Sequence, residues 1–152
     1  MPDLLAGTTV KALDTPPTVS ARGDSQFTAT NTLFDVLTTT GTYEEVGVPF
    51  VAPTSGRVKI HTAARLLNSS TGGTLVSPQI RTGATIGEGA EVQAVGDGHG
   101  VSHYGASFAR MGATTFVNGL TPGASYNVRL LHRVSANTGT IALRELIVEP
   151  AT

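Results

Sequence analysis

Between residues 57 and 66 the chain alternates: Val58, Ile60, Thr62, Ala64 and Leu66 fall on one side, and Arg57, Lys59, His61 and Arg65 on the other. A period of two sends successive side chains to opposite faces of a strand. Here one face is apolar and the other charged, the pattern of an antiparallel sheet buried on one side and wet on the other. Residues 126–134 repeat it, with Tyr126, Val128, Leu130, His132 and Val134 on the apolar side. No stretch carries a convincing 3.6-residue repeat beyond about three turns.

The rest of the chain reads as further short strands cut by turn residues. Phe27 and Ala29 open the first. Val46, Val48 and Phe50 share a face before the turn Pro53-Thr54-Ser55-Gly56. Residues 75–81 form another strand, which Pro78 assigns to an edge or a bulge because proline has no N–H to donate. Residues 102–111 and 113–117 read as strands broken at Gly112, and residues 140–149 return as the last strand after the turn Ala136-Asn137-Thr138-Gly139. Eight or so strands with turns every 8–12 residues predict an all-β, antiparallel β-sandwich of jelly-roll type. Residues 1–24 stand apart. Leu4, Leu5, Val10, Leu13 and Val19 lack alternation, and Pro16-Pro17 stiffens the middle. The expected division is therefore an extended N-terminal anchoring arm (1–24) whose apolar residues dock on another subunit or protein, and a sandwich head (25–152).

Composition removes whole classes of function. Ten basic and eleven acidic residues give a net charge of -1, without the basic footprint of a nucleic-acid binder. There is no cysteine, hence no disulfide scaffold, thiolate nucleophile or Cys-ligated metal. No apolar run approaches the ~20 residues that span a bilayer. A Gly-x-Ser-x-Gly elbow is missing, and Glu44-Glu45 are adjacent, so on a strand they point apart and cannot flank one bond. The glycine-rich runs at 83–89 and 96–100 lack the lysine and helix of a phosphate cradle. No enzyme activity, cofactor, nucleic acid or membrane partner is expected.

What remains is a short set of candidate residues. Asp97, His99, His103 and Tyr104 lie in or beside a glycine-rich excursion that could meet a ligand such as a glycan, together with loops 68–73 and 82–89. His99 and His103 are four apart without a helix to align them, so polar loop residues are the default reading and no metal is expected. His132 alternates with Leu130 and Val134 and reads as a hydrogen-bonded core or interface histidine. Arg22-Gly23-Asp24, an integrin tripeptide when displayed on a loop, reads more simply as a glycine hinge between arm and head. Tyr126, after the turn Leu120-Thr121-Pro122-Gly123, reads as a structural corner whose hydroxyl returns to turn backbone.

Several blocks resemble the small virion structural proteins (capsid decoration or minor tail type) of tailed phages and prophages of actinobacteria. They are Met1-Pro2-Asp3 with Leu5-Ala6-Gly7-Thr8, Asp14-Thr15-Pro16-Pro17, Phe50-Val51-Ala52-Pro53-Thr54-Ser55-Gly56-Arg57-Val58, residues 119–133, and the ending Arg144-Glu145 through Val148-Glu149-Pro150. The resemblance implies a virion surface component with a sandwich or C1q/TNF-like head. It also implies a homotrimer, with the major capsid protein or another virion protein as partner. Two functions follow as expectations: a decoration protein held by its arm, or a receptor-binding module whose distal loops touch a host glycan.

Overall fold

The computed structural model describes residues 14–152, and among these there are ten strands and no helix. In chain order the strands are β1 (Val19–Gly23), β2 (Phe27–Ala29), β3 (Gly47–Val51), β4 (Val58–Asn68), β5 (Gly73–Thr82), β6 (Glu91–Gln93), β7 (Val101–Tyr104), β8 (Ala109–Val117), β9 (Ser125–Val134) and β10 (Gly139–Pro150). They form two five-stranded antiparallel sheets. The first has the order β1-β10-β4-β8, with β2 also on β10; the second has β3-β9-β5-β6, with β7 also on β5.

The pairings are nested. β1 lies on β10, β3 on β9, β4 on β8 and β5 on β7, and successive pairs alternate between the two sheets. A chain doubled into one long hairpin and then wrapped around a barrel axis produces this order, and it defines a jelly roll. The alternation read at 58–66 and 126–134 turns the apolar rows of β4 and β9 toward each other. Ile60, Leu66, Val128, Leu130, Ile141 and Leu146 meet in one core, joined by Phe27, Val76 and Ile80.

Four local features depart from the reading of the sequence. Val19–Gly23, assigned above to the arm, is the edge strand of the first sheet, in register from Val19↔Val148 to Gly23↔Arg144. Its own short alternation, with Val19 and Ala21 against the core and Ser20 and Arg22 outward, is what docks it. The head therefore includes Val19, and Leu4, Leu5, Val10 and Leu13 of the expected arm lie outside the described residues.

Pro78 lies in the interior of the second sheet, opposite Leu130. Leu130 donates its N–H away from β5, to the carbonyl of Val46 at 2.9 Å. Directly opposed antiparallel residues share their hydrogen-bonding direction, so Pro78 points away from β9 as well. It faces the gap between β7, which ends its pairing at Val76, and β6, which starts at Ile80. The missing donor falls where the ladder is interrupted, and residues 94–100 loop out there.

The third departure is at Gly112. Strand β8 runs through it, opposite Ala63, and the break falls earlier, at residues 105–108. The fourth is a bulge in β10. Between Ala142↔Arg65 and Glu145↔Ala63 two residues oppose one, and Leu143 takes a left-handed φ of 48°. The extra residue shifts the phase of the strand, so Arg144, Leu146 and Val148 turn inward behind it.

Residues 31–46 form an irregular strap that continues the edge beyond β3. The carbonyls of Val46, Asp35 and Asn31 accept the N–H groups of Leu130, His132 and Val134 at 2.9–3.0 Å. The apolar residues Phe34, Val36 and Leu37 belong to this strap.

Candidate functional site

The two sheets differ on their outer faces. On the second sheet the outward residues of β5 and β9 are covered: Leu75, Ser77, Gln79, Asn127 and Leu131 are all buried. Loops do the covering. Asn127 Nδ2 donates to the carbonyls of Gly83 and Glu88 at 3.1 Å, and its Oδ1 accepts the Gly87 N–H at 3.0 Å. Arg133 lies 5.4 Å from the ring of Phe34 and pairs with Asp97. The outer face of the first sheet is open. Phe116 there is 52% exposed, and Ile147 and Phe108 are exposed as well.

That open face carries a charged lattice over a floor of small residues. Glu145 bridges Arg110 (2.6 Å) and Arg22 (3.5 Å), while Glu149 bridges His61 (3.1 Å) and Lys59 (3.9 Å). Arg65 lies flat over Phe108 at 3.9 Å. Between them Ala63, Gly112 and Thr114 line a shallow depression of about 360 Å³.

A second concavity lies where the chain enters the head. Pro16, Pro17 and Val19 form one wall, and Pro49, Phe50 and Val51 the other, closed by Ala84 and Ser125, with a volume of about 240 Å³. This apolar groove lies between the edge strands β1 and β3.

The candidate loop residues have separate hydrogen-bond partners, although Asp97 and Tyr104 both act on Arg133. Asp97 is held by Arg133, whose guanidinium it pushes up from its ordinary pKa by hydrogen bonding first and charge second. His103 Nε2 lies 2.8 Å from the carbonyl of Ser107, and His99 is exposed with its backbone tied to Gly96 and Thr115. No group of three or more His, Cys, Asp or Glu residues is placed to hold a metal ion among the described residues. Loops 68–73 and 82–89 lie at opposite ends of the ten-residue β5, about 30 Å apart. Tyr104 meets a concavity. It is 61% exposed, its ring rests on Gly73, and it borders a cleft lined by Ser69, Ser70, Thr71, Gly105 and Ala106.

Three further residues are structural in their geometry. The Tyr126 hydroxyl accepts the Thr121 N–H at 2.9 Å, and its ring stacks on Phe50. Gly23 of the Arg22-Gly23-Asp24 tripeptide is buried in β1, where a Cβ would lie 2.6 Å from Val46 Cγ2. It is a packed strand residue, not a displayed loop or a hinge. His132 is buried against Phe27 (4.7 Å between ring centres), and its Nε2 donates to the Leu37 carbonyl at 2.7 Å. Burial pushes its pKa down, which keeps the ring neutral.

Nested pairing of alternate sheets describes many proteins, and comparison with solved structures narrows it. A chain of the T13 particle of IBDV matches at a TM-score of 0.54 with 13% identity, over 90% of this chain and 31% of that one. This chain shares its fold with a viral-particle protein. A chain of T=1 particles derived from infectious bursal virus matches at 0.50 and 13% identity, over 99% of this chain and 36% of that one. The Eiger TNF of S. frugiperda matches at 0.49 and 7% identity, over 90% and 94%. The chain spans about a third of the length of the viral-particle chains it matches. No family model matches, and no curated protein matches in sequence.

Proposed function

We propose that this chain is a structural component of a phage virion, a capsid decoration protein without enzymatic activity that works as a homotrimer. It attaches to the major capsid protein, or another virion protein, through its N-terminal segment. The observation that carries the reading is the apolar groove between β1 and β3, one wall of which is Pro16 and Pro17. In the sequence, Leu4, Leu5, Val10 and Leu13 precede that proline wall and a jelly roll of the kind found in viral particles. A head with satisfied sheets and a leading run of apolar residues suits a protein clipped onto a surface, by groove filling or strand addition.

The test is co-sedimentation with phage particles stripped of the protein. Full-length protein is expected to bind, and the Leu4→Asp/Leu5→Asp double variant to lose at least about tenfold in affinity with an unchanged melting temperature, as expected when buried anchor residues are lost. Equal binding by both proteins would overturn the anchor.

A second reading, a tail-associated module that recognises a host-surface glycan, is favoured by the Tyr104 cleft alone. An exposed ring beside Ser69, Ser70 and Thr71 offers a stacking platform flanked by hydroxyl groups. Glycan binding that Tyr104→Ala abolishes would support it, and no binding on a host cell-wall glycan array would remove it.

A further inference from the structure

We propose that the open face of the first sheet and the strap at residues 31–46 are the two halves of one interface, so that the strap of one copy packs on the sheet face of the next. This deepens the homo-oligomer part of the proposed function and does not depend on attachment to a particle.

The two surfaces are complementary in charge. On the sheet face, the four cations Arg22, Lys59, Arg65 and Arg110 face three carboxylates, Asp24 beside Arg22, and Glu145 and Glu149. Arg65 is turned over Phe108 instead. The face therefore holds surplus positive charge on a chain whose net charge is -1. The deficit is concentrated nearby in sequence. Residues 23–56 contain Asp24, Asp35, Glu44 and Glu45 and no lysine or arginine at all. Three of these carboxylates lie on the strap.

Both surfaces also expose large apolar side chains. Leu33 and Leu37 of the strap are 80% and 62% exposed, and the sheet face presents Phe116, Ile147 and Phe108 around the depression floored by Ala63 and Gly112. Of the eight large hydrophobics exposed on the described residues, these two surfaces hold five. Apolar anchors within a rim of opposite charge are the anatomy of a specific interface, with a concavity to receive them. The depression is wide because Gly112 has no side chain and Ala63 has only a methyl group.

The geometry is heterologous. The strap borders β9 at the open side of the sandwich, whereas the receiving surface is the outer face of β10, β4 and β8. Each copy therefore uses a different patch on each neighbour, which closes into a ring when the rotation permits.

Sedimentation velocity of the full chain and two variants tests this. Ala63→Arg fills the depression with a long cation, and Leu37→Asp removes a strap anchor that is largely exposed in the single chain. The wild type is expected to sediment as a closed oligomer whose dissociation constant rises at least about tenfold between 50 and 500 mM salt, as charge-steered contacts do. Each variant alone is expected to be a folded monomer. Mixed together, they are expected to form a one-to-one dimer, because one retains the strap and the other the face. Ile147→Ser serves in place of Ala63→Arg if that variant melts early. A monomeric wild type, or an oligomer indifferent to either variant, would overturn the interface. So would variants that stay monomeric when mixed. A monomer that still binds particles would overturn the interface and leave the virion reading intact.

Discussion

Arg144 Nη2 donates to the carbonyl of Glu44 at 2.7 Å from a side chain only 1% exposed. Its guanidinium lies 4.9 Å from the ring of Phe27 and 5.0 Å from that of Tyr43, and Nε and Nη1 find no hydrogen-bond partner. Burial pushes its pKa down, against the pull of Tyr43 and the two glutamates. The β10 bulge has turned a cation into the core, where ring faces stand in for part of its lost hydration. Arg144→Ala leaves both a cavity and an untied strap, and is expected to cost about 2–4 kcal/mol. Arg144→Met keeps the volume and removes the unpaired donors, so its expected cost is below about 1 kcal/mol. Urea denaturation midpoints of the two variants check the contrast.

His132 links the same cluster to pH. Its folded pKa lies below the ordinary 6.5, first because of burial and also because of the positive charge of Arg144. The unfolded chain therefore binds the proton more readily. Stability from this group is complete above the unfolded value and is lost as pH falls through about 6.5 toward the folded pKa. The melting temperature of the wild type is expected to drop between pH 7.5 and 5.5, and that of His132→Gln to stay nearly level over the same interval.

Tyr126→Phe removes the acceptor of the Thr121 N–H and leaves the ring stacked on Phe50. Thr121 is exposed, so water can take the freed N–H and the expected cost is the net value of one hydrogen bond, about 0.5–1.5 kcal/mol. The loss should appear in the denaturation midpoint while the far-ultraviolet circular dichroism keeps its shape.

Gly23→Ala drives a methyl group toward Val46 and Arg144, and overpacking of this kind costs about 1–3 kcal/mol. Arg22→Ala removes only exposed ion pairs, to Asp24 and Glu145, and is expected to cost less than about 1 kcal/mol. Thermal melts of the two variants separate a packed strand from a displayed recognition tripeptide.

The sandwich was legible where one face of a strand is wet. β4 and the inner row of β9 announce themselves because lysine, arginine and histidine alternate with valine, isoleucine and leucine. β5 hid its place because both its faces are covered, and Pro78 suggested an edge when its bare nitrogen faces a gap in the ladder. The β10 bulge left no sign at Leu143, since a left-handed leucine looks like any other in a strand. A strict alternation would have placed Leu143 inward and Arg144 outward. The strap was illegible for a different reason: Leu33 and Leu37 are apolar without being buried, so they mimic core residues in sequence. Loops 68–73 and 82–89 lie at opposite ends of β5, which spacing along the chain does not reveal.

Attachment to the particle is the central claim, and immunogold labelling of purified virions tests it most directly, with antibodies raised against the sandwich head. Label distributed over the capsid shell, and absent from particles assembled with protein lacking residues 1–13, is the expected result. Particles that carry no label, or that keep it without that segment, would contradict the account.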